Sequence, residues 1–270
     1  MSAIILDRSQ TFIINHDQFV EINVVVNNHL DLELVSDSDQ HQMILVRYQG
    51  SGELNLKWDF KENINCNLLL LNETDSHLKV DEQFYLYENA QVFLNIGDFS
   101  LKNIDRNTVI NLIKERGHIE LNGATLSKGV INWSIKALHK AKHTYANLLN
   151  HGVVLRDSAL KFDVLGDIGN GYSGSKTYQT TRMMNMDTNV DTQVFPQLII
   201  DENDVEASHA ASVGQPDPEA IYYMMSRGIS YHDALKQMTL GYLLPAVMVI
   251  ENDKIRDVLV DEILMKVELI

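Results

Sequence analysis

Short runs in which apolar and polar residues alternate fill most of the first 195 residues. Clear examples are ELNLKWDF at 53–60, QVFLNIGD at 91–98 and HIELNG at 118–123. A period of two places the apolar side chains on one face of a strand, so these runs predict strands with one buried face. No proline precedes Pro196, which fits strands that use every backbone N–H in a ladder.

The strand runs recur at short intervals, with Asn, Asp and Gly between many of them. This spacing fits two architectures, an antiparallel sandwich or the stacked rungs of a β-helix. The asparagines Asn72, Asn95 and Asn122 near predicted strand ends favour the β-helix, because its corners accept left-handed residues and stacked amides. The alternation itself leaves both architectures open.

The hydrophobic period changes after about residue 215. Asp217 and Pro218 form an N-cap and a first-turn proline, and Gly228 stops the predicted helix. Ser230 opens a second helix in the manner of a capping box. A third apolar stripe with helical spacing consists of Ile255, Val258, Leu259, Ile263 and Val267. We therefore predict a mainly β body over residues 1–212 and a small helical region over 213–270.

Composition and charge exclude several classes of function. The chain has 270 residues, 45% of them hydrophobic, which predicts a packed globular fold. Its formal net charge of −15 would repel a phosphate backbone, so nucleic acid is not expected as a partner. The start MSAIILDRSQTF lacks an export signal, and no apolar run is long enough for a membrane span. We expect a soluble, cytoplasmic protein with no membrane partner.

Several motifs can be interpreted either as functional sites or as ordinary structural features. GNGYSG at residues 169–174 matches a dinucleotide-binding pattern, but no amphipathic helix follows it, so we interpret it as a tight turn. His139 and His143 lie four apart without an acidic residue between them, and a metal site there is not favoured. Cys66 is the only cysteine and is interpreted as a small buried strand residue.

A lone histidine, His209, lies among small residues in the segment VEASHAASVG. A histidine in such a place is commonly bonded to a backbone carbonyl near a strand end. Its small neighbours would also let another surface approach closely, and the segment joins the β body to the helices. We therefore treat His209 as a candidate interface residue.

The segment from Phe195 to Val247 resembles the C-terminal part of the SufB/SufD proteins of the SUF iron–sulfur cluster assembly system. The family pattern there is a proline and an apolar strand, Asp-Asp-Val, Cys-Ser-His-Gly-Ala-Thr-Val-Gly, an acidic helix start and Tyr-Leu-x-Ser-Arg-Gly-Ile. The matching positions here are Pro196, Leu198, Ile200, Asp204, Val205, Ser208, His209, Ala211, Val213, Gly214, Tyr223, Ser226, Arg227, Gly228 and Ile229. A looser resemblance extends upstream to about residue 139.

The resemblance implies a right-handed parallel β-helix and a non-enzymatic, SufD-like scaffold subunit. Its implied partners are a SufC-type ABC ATPase, which docks on the C-terminal helices, and a SufB-like subunit or a second copy of the chain. It implies that His209 is a metal ligand at the subunit interface where the cluster is built. The isolated chain would hold no cofactor stably, and an iron–sulfur cluster would be present transiently in the complex.

For ATPase docking, the residues expected from the resemblance lie at the start of the helical region. They are Tyr222, Tyr223, Arg227, Gly228 and Tyr231. Arg227 and Gly228 have a second interpretation, since a glycine ends a helix without any partner.

This sequence departs from the family pattern in three ways. Ala207 replaces the motif cysteine, Ala210 replaces its glycine, and the chain is shorter than usual members. Two alternatives stay open at this point: a carbohydrate-active β-helix enzyme with the same architecture, and a homo-oligomeric paralogue without a cluster role.

Overall fold

The computed structural model describes residues 3–15, 19–38, 41–74, 76–99, 101–248 and 253–268. Strands account for 60% of the chain, and the short helices lie near the C-terminus. The strands are β1 (Ile4–Leu6), β2 (Gln10–Ile14), β3 (Phe19–Ser36), β4 (His41–Phe60), β5 (Asn65–Asn72), β6 (Leu78–Leu86), β7 (Gln91–Asp98), β8 (Ile104–Leu112), β9 (His118–Ser127), β10 (Val130–His139), β11 (Tyr145–Val154), β12 (Ser158–Ile168), β13 (Lys176–Asn185), β14 (Val190–Ile200) and β15 (Glu206–Gly214). The helices are α1 (Pro218–Ser226), α2 (Tyr231–Leu243), α3 (Pro245–Met248) and α4 (Asp253–Val267).

The strands form a parallel β-solenoid of about 7 turns. The even sheet contains β14, β12, β10, β8 and β6, and the odd sheet contains β15, β13, β11, β9, β7 and β5. β3 pairs with β4 in parallel along its whole length, and both strands pass through both sheets. Of the two architectures that the alternation leaves open, the β-helix is thus confirmed and the antiparallel sandwich is wrong.

Glycine is required where β4 turns from one sheet to the other. Gly50 and Gly52 have φ values of +93° and +120°. A Cβ atom on either residue would lie 2.0 Å from a carbonyl oxygen of β3, that of Val26 or Asn28. The close approach of the neighbouring rung therefore excludes any larger residue at these two positions.

A column of left-handed turn residues marks another corner of the solenoid. Asn63, Asn89, Arg116, His143 and Gly174 all have positive φ, and each donates its N–H to a carbonyl of the next rung. Asn89 also donates from its side chain to Asn63 Oδ1 at 3.0 Å. Asparagine therefore occupies corners as the sequence suggested, although Asn95 and Asn122 themselves lie within strands.

The core lies between the two sheets, on the inward-facing side of each strand. Trp58, Phe60 and Phe84 stack with nearly parallel rings, with centroids 5.6 to 6.5 Å apart. Cys66 is fully buried in this core on β5, as predicted, and burial raises the pKa of its thiol.

A second apolar cluster lies on the outer face of the odd sheet. Leu69 and Leu71 of β5 face outward there and are buried against helical residues that include Leu243, Val247 and Ile263. The run NLLLL at 67–71 is therefore apolar on both faces, because core covers one face and helices cover the other.

The helices begin and end as the sequence predicts. Asp217 accepts from the backbone N–H of Glu219 at 3.0 Å, and Ser230 accepts from that of Asp233 at 3.1 Å. Gly228, with φ of +89°, follows α1. Of the third predicted stripe, Ile263 and Val267 are buried, whereas the side chains of Ile255, Val258 and Leu259 lie outside the described part.

Ion pairs also attach α4 to the β body. Arg47 of β4 donates to Glu262 of α4 at 2.7 Å and to Glu21 at 3.2 Å, and it forms a third pair with Glu73. Burial, and then the charge of Glu262, raise the pKa of Glu73. Three carboxylates therefore share one guanidinium at this junction. The division at residue 212 stays a prediction; β15 ends at Gly214.

Candidate functional site at the open end of the β-helix

The last rung of the solenoid is uncovered. In the part of the chain that the structure describes, β15 pairs only with β13 and β14 only with β12. Every residue of β15 is exposed, and β14 is exposed at alternate positions. Each strand therefore presents a free row of backbone N–H and C=O groups, the kind of edge that pairs with another chain. Pro196 lies on β14, and an edge strand tolerates proline.

His209 lies on β15 at a position that faces the interior. It is in register with Gln179 of β13, which is 2% exposed. The same column runs through the odd sheet and contains Leu68, Leu94, Leu121, Leu148, Gln179 and His209 in successive rungs. The column changes from leucine to polar residues only at the last two rungs. His209 is exposed because no further rung covers it.

A polar floor, formed by Asn150, Thr177, Gln179 and Thr181, lies beneath β15. These four side chains are between 0% and 2% exposed, and Asn150 donates to Thr181 Oγ1 at 3.4 Å. Three of their oxygen atoms, Asn150 Oδ1, Thr177 Oγ1 and Gln179 Oε1, have no hydrogen-bond partner. Buried polar atoms are normally paired, so three unpaired oxygens on one floor below an open rung are acceptors available to a side chain above them.

Sequence reasoning missed the floor. Its signal is the alternation in KTYQTTRM, where Thr177, Gln179 and Thr181 occupy every second position. These positions read as the polar face of a strand, but the register places them inside, below β15. Only the pairing of β13 with β15 reveals that they share a face with His209.

The thiolate expected beside His209 has no substitute in this chain. Ala207 stands where the motif has cysteine, and it is in register with Thr177. Cys66 lies in the column of Ala207, but five rungs away, which is roughly 24 Å at the usual strand spacing. Because Cys66 is also buried and its pKa is raised, it offers no thiolate at the open end.

A second surface lies on α1 and the start of α2, and we call it the tyrosine patch. It comprises Tyr222, Tyr223 and Tyr231, which are 76%, 60% and 55% exposed, together with Met225 and Ile229. A cleft of about 500 Å³ adjoins it, and its walls include Pro216, Ile221 and Leu235. Exposed aromatic and methionine side chains in one patch are typical of a protein interface.

Arg227 and Gly228 belong to the same region but have local structural roles. The Arg227 guanidinium lies 5.3 Å from the centroid of the Tyr223 ring, and its backbone N–H caps α1. Gly228 adopts the left-handed conformation that ends the helix. The five predicted docking residues thus lie on α1, on the start of α2 and in the turn between them, whereas His209 lies on β15.

The other motifs have structural explanations. GNGYSG forms the turn between β12 and β13, and a strand rather than a helix follows it. His139 is buried at the end of β10, whereas His143 is an exposed left-handed turn residue. Burial lowers the pKa of His139 to about 4. Within the described ranges, no three His, Cys, Asp or Glu side chains are grouped to hold a metal ion.

A groove of about 600 Å³ on the outer face of the even sheet is the feature closest to a carbohydrate site. Its carboxylates are already engaged, since Asp31 accepts from Asn55 at 2.9 Å and Glu33 from Lys57 at 2.6 Å. These hydrogen bonds lower the pKa of both carboxyl groups. A general acid for glycoside cleavage needs the opposite shift, so the groove does not favour that chemistry.

Comparison with known proteins gives a consistent family. A protein-family model described as "SUF system FeS cluster assembly, SufBD core domain" matches residues 12–242. The iron–sulfur cluster assembly protein SufD of Bacillus subtilis is 34% identical over 137 residues, which are 51% of this chain and 31% of that protein. A SufBD family protein of Mycobacterium leprae is 26% identical over 41% of this chain and 13% of its own length. A SufBD family protein of Staphylococcus aureus is 22% identical over 62% of this chain and 36% of its own length. The chain thus matches little more than a third of these relatives at most. No helix in the described ranges has the length and apolar character that a membrane span requires.

Proposed function

The chain belongs to the SufBD family of the SUF iron–sulfur cluster assembly system, and from that premise we propose that it is a non-catalytic, SufD-like scaffold subunit. In this proposal its open end joins a second family subunit, and its helices bind an ABC-type ATPase. The cluster is the cargo of the assembly and is held at the joint between subunits. The observation that carries the proposal is the position of His209 on an uncovered last rung.

The open end has the properties of a subunit joint. Its free strand edges supply main-chain hydrogen bonds to a partner strand. On the last rung, Val213 is 49% exposed at an interior-facing position of β15, and Phe195 and Ile199 are 46% and 50% exposed on the outward face of β14. Around His209, the small side chains of Ala207, Ser208, Ala210 and Ala211 let a partner surface approach closely.

His209 supplies one ligand and its partner supplies the rest. A neutral imidazole nitrogen ligates iron, as in clusters where histidine replaces cysteine on one metal. A single imidazole cannot hold a cluster, and Ala207 offers no thiolate next to it. The partner must therefore be a SufB-like subunit with cysteine at the joint; a second copy of this chain would bring only a second His209.

The tyrosine patch is the proposed ATPase-binding surface. Exposed aromatic side chains supply large contact areas at low cost in conformational entropy, and they are enriched at interfaces. The patch lies on α1 and the start of α2, and the C-terminal half of α2 is fixed to the body by the outer apolar cluster. A nucleotide-driven movement of the ATPase would thus reach the β-helix through rigid elements.

Co-expression with a cysteine-bearing SufB-like subunit and the SUF ATPase tests the assembly, with native mass as the readout. We expect a heteromer that Val213→Arg disrupts, because a charged side chain would then occupy the apolar joint. Val130→Arg is the matched control, since Val130 is 45% exposed on β10, away from the joint. A heteromer that forms equally well with Val213→Arg would contradict the proposed joint, and a homodimer alone would favour the homo-oligomeric alternative.

A further inference from the structure

The side chain below His209 is Gln179. The two residues are in parallel register on adjacent strands, and both are at interior-facing positions. Side chains at one position of neighbouring strands stand about 4.8 Å apart at the backbone, so they are direct neighbours. Gln179 is therefore the residue of the polar floor that an inward-turned imidazole at position 209 meets first.

The amide of Gln179 is held in one orientation. Its Nε2 donates to the carbonyl oxygen of Gln197 on β14 at 3.0 Å, which only the NH₂ end can do. Gly166 of β12 leaves the space for this amide, because a Cβ there would lie 3.0 Å from Gln179 Nε2 and 2.8 Å from Thr177 Oγ1. The Oε1 atom is consequently fixed in place, buried and without a donor.

We propose that Gln179 is a positioning residue for His209, accepting an imidazole N–H at its unpaired Oε1. The bond selects one neutral tautomer and directs the other ring nitrogen out of the open end, towards the partner. Ligating histidines commonly use their second nitrogen in this way. The inference rests on the proposed ligand role of His209, and it assigns a task to a buried acceptor that otherwise has none.

The test is ¹⁵N NMR of the histidine-labelled full chain, without iron, at a pH where imidazoles are neutral. Assignment comes from His209→Ala. We expect one dominant tautomer of His209, and a change in the tautomer ratio of between about two- and tenfold in Gln179→Met, the range expected for one hydrogen bond.

Two further variants separate positioning from general packing. Thr181→Val alters the same buried face but lies in register with Ala211 rather than His209, so it should leave the ratio unchanged. Gly166→Ala displaces the amide and should act like Gln179→Met. A His209 tautomer ratio that is the same in the wild type and Gln179→Met would overturn the inference. Because the readout needs no cluster, it is independent of cluster yield in His209→Ala, which tests the ligand role itself.

Discussion

Arg106 and Glu82 form an ion pair sealed inside the β-helix. Arg106 donates from Nη2 to Glu82 Oε1 at 2.7 Å and from Nε to Oε2 at 3.1 Å. Tyr48 and Thr108 donate to the same carboxylate at 2.8 and 3.0 Å, so both of its oxygens are satisfied. Burial alone would lower the pKa of Arg106, but the charge and hydrogen bonds of Glu82, together with Tyr48 and Asp98, outweigh it and raise the pKa, which keeps the guanidinium charged.

Removal of Arg106 should be strongly destabilising. Arg106→Met leaves Glu82 buried without its partner, and we expect a loss of about 3–5 kcal/mol in the free energy of unfolding. Denaturant unfolding measures it. The control is Lys79→Met, which breaks the exposed pair with Glu53 and should change stability little. Equal losses of stability in Arg106→Met and Lys79→Met would show that the buried pair stabilises the fold no more than an exposed pair does.

His139 should make stability depend on pH. Burial lowers its pKa from 6.5 to about 4 in the folded chain, so between these values the unfolded chain binds the extra proton. The contribution of His139 to the free energy of unfolding is therefore fully present above pH 6.5. It declines as the pH falls towards 4, by roughly 3 kcal/mol at most.

The substitution His139→Leu tests this dependence. Leucine fits the position, because the residues in register on the neighbouring strands are Leu112 and Ile168. The measurement is the unfolding midpoint across this pH range. The variant should show a smaller decline than the wild type, whereas an unchanged decline would assign the pH dependence to other groups. His143→Asn, which removes an exposed imidazole and suits the left-handed turn position, is the control.

The Arg47 junction should respond to pH in the opposite direction. The raised pKa of Glu73 means that the folded chain holds the proton more tightly than the unfolded chain. The stability that protonated Glu73 contributes is fully present below the ordinary glutamate pKa of 4.5, and it is lost as the pH rises through the pKa of Glu73 in the folded chain. Glu73→Gln should remove the loss. The measurement is the protection of the α4 backbone amides against hydrogen exchange as a function of pH. Protection that falls equally with rising pH in the wild type and in Glu73→Gln would contradict the account.

The fold was largely predictable because each of its rules is local. Alternation marks strands, and Asp217, Ser230 and Gly228 mark helix ends through their own hydrogen bonds or backbone angles. Alternation could not distinguish a sandwich from a solenoid, since both bury one face of a strand. The register that decides between them depends on contacts between rungs, such as Gly50 against Val26.

The tyrosine patch should be needed for ATPase binding. Tyr222→Asp should weaken the complex by at least tenfold in Kd, because it places a charge in an apolar contact. Titration calorimetry with the purified ATPase is the measurement. Ile13→Asp is the matched control, since Ile13 is 57% exposed on β2 in the first rung. Equal affinities of both variants and the wild type would remove the patch from the interface.

Only some residues of the candidate site could be predicted from the sequence. His209 and the five docking residues were predicted through resemblance, and all six lie at exposed positions. Gln179 and Thr177 were not found, because their importance comes from register with β15, 30 residues further along the chain. Ala207 is equally informative, since it stands where the motif has cysteine and shows which ligand this chain lacks.

Anaerobic reconstitution of the cluster on the purified heteromer tests the central claim most directly. Iron and sulfide bound per complex should fall severalfold in His209→Ala, while assembly and folding stay unchanged because the side chain is exposed. His77→Ala, at an exposed turn between β5 and β6, should retain the wild-type content. Wild-type cluster content in His209→Ala would contradict the role of the open end in holding the cluster.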